Sequence, residues 1–280
     1  MATVVSRINQ IKQPYGGYVP LKTFEELKLG GEIIFNNEEN INPMLVGLVV
    51  DYLTRFSVSN DAKKSFNISL RGAMSKDHWT KSSDEKWLKT AKKHLEKIRG
   101  LDDASIINAI KLSEFDIWYR NPRGAQMTKE QDVEASIQTI EHIRNLVKRG
   151  IDFFAKYGPI TKYEFDFYPP NYEDTLEEYI SFLKNKKNGG YTRTVSSGDG
   201  DYLTKDTIWE FKVSKYNPKP NDTLQVLMYW IMGQHSGQGL FKSISKIGIF
   251  NPRLNTAYQL EVSKIPKETI ETIEKDIICY

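Results

Sequence analysis

The sequence predicts a mixed α/β (α+β) fold, with a central mixed sheet flanked by helices and a large helical insertion. Three observations predict it. Residues 207–213 (TIWEFKV) alternate in the two-residue period of a half-buried strand. Residues 61–158 carry four successive segments of helix-type periodicity. Two more alternating runs, 244–250 and 256–262, follow an amphipathic stretch that opens near Leu224. Strands therefore gather in the second half of the chain, and helices fill the middle.

In chain order, residues 1–20 are polar and end in Gly16-Gly17-Tyr18-Val19-Pro20, an expected extended arm or loop. A short helix is expected over 21–29, stopped by Gly30-Gly31. Asn40 or Asn42 can cap the next helix, with Pro43 at its first position. That helix, 44–56, is apolar almost throughout and is expected to be buried. Its only charges are Asp51 and Arg55, four apart, so Asp51 either pairs with Arg55 one turn on or serves a site.

Helices are expected over 62–74, 84–99, 104–115 and 129–157, broken at 75–83, 100–103 and 121–124. Lys92, Lys93, Lys97, Arg99, Arg120 and Arg123 lie there, either as solvated faces or as contacts for a phosphate backbone. Strands are expected over 162–168 and 191–195, with a helix over 174–187 between them. After the 207–213 strand, Asn221, Asp222 or Thr223 can cap a helix that Gly233 stops. The strands 244–250 and 256–262 form a hairpin, and an amphipathic helix, 267–278, ends the sequence.

The chemistry concentrates between Gly198 and Tyr229. Alternation puts Trp209, Phe211 and Val213 on the core face and Glu210 and Lys212 on the other, toward a cleft or solvent. Asp199 and Asp201 are likewise two apart. Thr204-Lys205-Asp206 is a short polar link, so a hairpin would bring Asp201 beside Glu210. Two carboxylates that close repel unless a cation lies between them. Oxygen-only donors favour Mg²⁺ or Mn²⁺ over zinc. Gln225 and Tyr229, four apart, share a face of the following helix.

This order of residues resembles the PD-(D/E)XK nuclease superfamily, and within it the RecB-like branch that includes Cas4-type exonucleases. Gly198 to Asp201 matches the branch's Gly-x-x-Asp, Glu210-Phe211-Lys212 its Glu-x-Lys, and Gln225 with Tyr229 its Gln-x-x-x-Tyr. Gly47 and Asp51 match the spacing of an earlier Gly and His, with Asp in place of His. The resemblance covers 43–55 and 198–229, a minority of the chain.

It implies a restriction-endonuclease-like core over 1–57 and 159–280, with a helical insertion over 58–158. It also implies a Mg²⁺-dependent deoxyribonuclease, exonuclease-like, acting on single- or double-stranded DNA in repair, recombination or phage-related defence. Asp201 and Glu210 would hold the metal with the Phe211 carbonyl, and Asp51 and Asp199 are further candidate ligands. Lys212 would orient or deprotonate water or steady the phosphorane, while Gln225 and Tyr229 position the metal shell or the strand. The alternative expectation is a nucleic-acid-binding module that keeps the fold and does not cleave.

Glu-x-Lys alone is common: Glu26-Leu27-Lys28 repeats it and is expected on a charged helix face. Composition is that of an ordinary globular chain, 39% hydrophobic and 27% charged, so any track for a polyanion must be local against a net charge of +3. The single Cys279 excludes an intramolecular disulfide framework and a cysteine-rich zinc site and fits a reducing cytoplasm. No signal peptide and no membrane-spanning run are expected. No Gly-x-x-x-x-Gly-Lys-Ser/Thr occurs, so a helicase partner would be a separate chain.

Overall fold

The computed structural model describes residues 2–127, 134–167 and 189–280. It divides into two compact units, Met1–Glu32 with Phe154–Tyr280, and Ile33–Phe153. The first unit is built on a mixed six-stranded sheet, the second on helices.

Among the described residues the strands are β1 (Ala2–Thr3), β2 (Glu25–Lys28), β3 (Lys162–Asp166), β4 (Val195–Ser197), β5 (Asp199–Leu203), β6 (Thr207–Phe211), β7 (Lys246–Asn251) and β8 (Thr256–Glu261). The large sheet has the order β2-β8-β7-β6-β5-β3. β6 and β7 run parallel, and every other neighbouring pair is antiparallel. A parallel pair needs a crossover, here the helix Pro220–His235. Thr204 N–H closes the β5–β6 turn on the Thr207 carbonyl at 3.0 Å, so the expected hairpin forms.

β6 is central, and all five of its residues are buried. The expectation that Glu210 would face a cleft or solvent is corrected here: Glu210 is 5% exposed. One face of β6 lies under the Pro220–His235 helix. The other meets the end of the 137–157 helix, where Phe154 stacks on Phe211 at 5.5 Å and Tyr157 packs on Trp209 at 5.8 Å. Alternation identifies the two faces of a strand, and a second covering layer then buries the polar one as well.

The crossover helix is buried nearly all round, from Thr223 to Gly233. Leu224, Leu227, Met228 and Ile231 pack with Ile208, Ile247 and Ile249 of the sheet and with Val4, Ile8, Ile273 and Ile277. It runs two residues past Gly233, the expected stop. A Cβ at Gly233 would come within 2.4 Å of the Phe241 ring, so this glycine admits an aromatic ring and does not end the helix.

Other sequence expectations are corrected in this unit. Residues 2–8 form β1 and the helix Val4–Ile8, capped by the Thr3 hydroxyl, in place of an extended arm. Residues 21–29 form a 3₁₀ turn, Leu21–Thr23, followed by edge strand β2, so Glu26 and Lys28 lie on a sheet edge and not on a helix. β4 starts at Val195 and pairs with β1, outside the large sheet. The last helix is α-helical over Lys267–Thr272 and widens to a π-helix over Ile273–Ile278. The expected helix over 174–187 lies outside the described residues, as do 168 and 129–133 of two other elements.

The second unit holds α-helices Pro43–Ser59, Ala62–Ser65, Asn67–Thr80, Lys86–Leu95, Asp103–Ser113, Asp116–Arg120 and Pro122–Met127, and most of Ile137–Tyr157. Asn42 caps the first, its Oδ1 accepting from Met44 N–H at 2.9 Å, and Pro43 takes the first position. The break expected over 121–124 is instead a helix start, consistent with proline at the first helical position. Val46, Val49, Leu53, Phe66, Ala73, Ile106 and Leu112 form the interior. A polar knot sits in it: Tyr52 Oη donates to Asp116 Oδ2 at 2.5 Å and Ser69 Oγ to Asp116 Oδ1 at 2.6 Å. Among the described residues no helix is long and apolar enough to cross a membrane.

Candidate functional site

The site grows from the β5–β6 hairpin. Tyr202 pairs with Trp209 and Leu203 with Ile208, and the same register sets Asp201 opposite Glu210. Phe211 N–H donates to Asp201 Oδ2 at 2.8 Å, which fixes that carboxylate against the strand carrying Glu210 and Lys212. Gly200 fits between the two aspartates because the Phe165 ring of β3 crosses it; a Cβ there would lie 2.0 Å from that ring. At Gly198 a Cβ would crowd the Tyr229 ring at 3.2 Å.

Lys212 Nζ donates to Glu210 Oε1 at 3.1 Å and to Gln225 Oε1 at 2.9 Å. Gln225 Nε2 donates to Glu210 Oε1 at 2.9 Å and to Tyr229 Oη at 2.9 Å. The amide orientation follows from its neighbours, since an ammonium only donates and a carboxylate only accepts. Five residues expected from sequence thus come together. Glu210, Lys212, Gln225 and Tyr229 form one connected network, and Asp201 adjoins it through the Phe211 N–H.

Asp222 belongs here too, 3.7 Å from Lys212 Nζ. Its other oxygen accepts from Lys219 N–H at 2.7 Å, at the helix start. The sequence suggested Asp222 only as one of three caps; its position three before Gln225, near the same helix face, was the available signal.

Electrostatics set the protonation states. Burial by itself would lower the Lys212 pKa, but the charges of Glu210, Asp222 and Asp201 together outweigh it and hold the amine above its ordinary range. Lys212 is therefore an ammonium at neutral pH. Tyr229 is pushed well above the ordinary tyrosine range, first by burial and then by the Glu210 and Asp199 charges, so it stays a neutral phenol. Asp199 is an exposed residue on the same face of β5 as Asp201, and its charge reaches Tyr229.

Asp51 lies in the helical unit, in the Pro43–Ser59 helix. Arg55 holds it with both guanidinium arms, Nε to Oδ1 at 3.0 Å and Nη2 to Oδ2 at 2.6 Å. His94 and His142 meet Asn108 and Glu39, and His235 meets Glu274. Among the described residues no three or more His, Cys, Asp and Glu side chains gather as a metal-binding group. Asp201 and Glu210 are suitable oxygen donors for a hard divalent cation, with the Phe211 backbone beside them. In the arrangement seen, the Lys212 ammonium supplies the positive charge next to Glu210.

Compared with known protein families, curated proteins and solved structures, the chain gives no significant match.

Proposed function

We propose that this protein is a Mg²⁺-dependent deoxyribonuclease of PD-(D/E)XK type, hydrolysing DNA phosphodiesters at the Asp201–Glu210–Lys212 set. One observation carries the proposal. Acid, acid and ammonium from a hairpin are joined by Gln225 and Tyr229 from the next helix in a single network, in the order that the resemblance expects. The β5–β6 hairpin, crossover helix and parallel β7 support it, since they repeat the expected strand-strand-helix-strand core.

Asp201 and Glu210 would hold the cation, with the Phe211 carbonyl and Asp199 as further oxygen donors. When bound, a divalent cation polarises the scissile phosphate and lowers the pKa of water. Lys212 enters as a fixed positive charge, suited to stabilising negative charge that builds on the phosphoryl oxygens. Without a cation, the Glu210, Asp222 and Asp201 charges keep Lys212 protonated. Gln225 holds the Lys212 and Glu210 side chains in register, and Tyr229 holds Gln225. Asp51 is proposed as a structural partner of Arg55 rather than a ligand, because both its oxygens meet the guanidinium.

The test is cleavage of labelled DNA by pure protein with Mg²⁺ or Mn²⁺. Glu210→Gln and Lys212→Met are each expected to lower the rate about 10²- to 10³-fold. Full-rate cutting by either variant would remove that residue from the mechanism.

A second reading is a nucleic-acid-binding module that does not cleave, in which the Lys212 ammonium seen between Glu210 and Gln225 is the resting charge partner of the acid. It predicts binding that weakens with salt and no cation-dependent product. An exonuclease-like action in the cytoplasm, alone or with a separate helicase chain, completes the first reading.

A further inference from the structure

The chain between Lys212 and Asp222 leaves the site and returns to it, and the two residues stand 3.7 Å apart at its base. At the middle of this loop Tyr216 is 59% exposed. The backbone that carries this ring is held from inside the fold. Asn251 of β7 has no exposed surface, and its amide donates to the Ser214 carbonyl at 2.7 Å and to the Tyr216 carbonyl at 3.1 Å. Tyr216 N–H in turn donates to Ser214 Oγ at 3.1 Å, and Tyr258 Oη to Asn217 Oδ1 at 3.1 Å.

Two cations flank the ring, Lys215 Nζ at 5.3 Å and Lys219 Nζ at 5.9 Å from its centroid. A second exposed tyrosine, Tyr15, stands on a turn closed by Gly17 N–H on the Pro14 carbonyl at 2.9 Å. That turn is tied to the same helix start, Gln13 Nε2 donating to Asn221 Oδ1 at 2.8 Å.

We propose that Tyr216, with Lys215 and Lys219 and with Tyr15 beyond, is a stacking platform for unpaired bases, so that the site takes single-stranded polynucleotide or a frayed end. The inference rests on the nucleic-acid reading of the site and narrows it. Every base has a π-face, so stacking accepts any sequence, but a base inside a duplex has no face to offer. Pre-ordering by Asn251 reduces the entropy that binding would otherwise cost. The two lysines supply positive charge beside the ring for the phosphate backbone of a bound strand.

Anisotropy of a fluorescein-labelled oligothymidylate and of a blunt duplex, in Ca²⁺, tests this on the full chain. Tyr216→Ala is expected to weaken oligothymidylate binding about 5- to 150-fold and Tyr216→Phe to leave it within about twofold, the duplex being little affected by either. Lys215→Ala with Lys219→Ala should shallow the salt dependence by about 0.7 in slope for each lysine. Tyr15→Ala should weaken the strand and spare the duplex. Equal losses on strand and duplex, no loss with Tyr216→Ala, or no binding of oligothymidylate by the unaltered protein would each overturn the platform. Cleavage in Mg²⁺ is scored separately with Glu210→Gln. A failed nuclease reading leaves the binding pattern in place, and a failed platform leaves cleavage in place.

Discussion

Glu210 shows how the candidate site and the stability of the fold are joined in one residue. Its side chain is 7% exposed and its charge is answered by Lys212, itself 25% exposed. Lys212→Met leaves a nearly buried carboxylate without that answer and should cost about 2–4 kcal/mol, below the full value for a dry pair because Lys212 keeps some water. Adding Glu210→Leu to Lys212→Met should recover much of that loss; urea unfolding of the four proteins gives the coupling. The titrations run in one direction. Lys212 and Tyr229 both keep their protons in the folded protein beyond the pH at which the unfolded chain releases them. The folded state then binds more protons, so stability is full below about pH 10 and falls as pH rises through the folded values. A urea midpoint that stays constant up to pH 11.5 would contradict this. In Tyr229→Phe the alkaline fall should be shallower.

At the scale of elements, strand β5 and the crossover helix place the chemistry. Gly200→Ala forces its Cβ into the Phe165 ring between Asp199 and Asp201, with an expected loss of about 1–3 kcal/mol read from the unfolding midpoint. Side-chain oxygens meet open N–H groups at the starts of several helices in both units. Asp77 accepts from Trp87 N–H at 3.0 Å and Leu88 N–H at 2.9 Å, ending the open turn of the Lys86–Leu95 helix, and the Ser82 hydroxyl also meets it. Burial acts upward on the Asp77 pKa, but those hydrogen bonds prevail and hold it below the ordinary carboxylate range. Its contribution is present above the unfolded value near 4 and is lost as pH falls through the folded one. Asp77→Ala should cost about 1–2 kcal/mol at pH 7, and less at pH 3.

Over the whole molecule, the sheet unit is discontinuous in sequence and the helical unit is one segment. Residues 1–32 deliver Val4, Ile8, Val19 and Phe24 to the core of the sheet unit and strand β2 to its edge. Four buried apolar side chains at about 1.5–3 kcal/mol each amount to about 6–12 kcal/mol, comparable with the whole stability of a domain. A chain lacking 1–32 should therefore fail to form the sheet unit. The segment 33–153 made alone should keep its helical circular dichroism, since its caps and the Tyr52–Asp116–Ser69 knot are internal to it. Loss of helical signal in that segment would show that the unit borrows stability from elsewhere.

Local chemistry made the hairpin, the crossover helix and the order of site residues legible in the sequence, because alternation, turn composition and four-residue spacing act over a few residues. Burial of Glu210, the sheet edge at Glu26 and Lys28, the β1–β4 pair and the enlistment of Asp222 depend on which distant segment covers or pairs with which. Such contacts are set by packing between elements far apart in the chain, and only the tertiary structure decided them. The sequence alone determined the residues able to meet; their meeting as an ammonium network under a helix followed from the layers closing on both faces of β6.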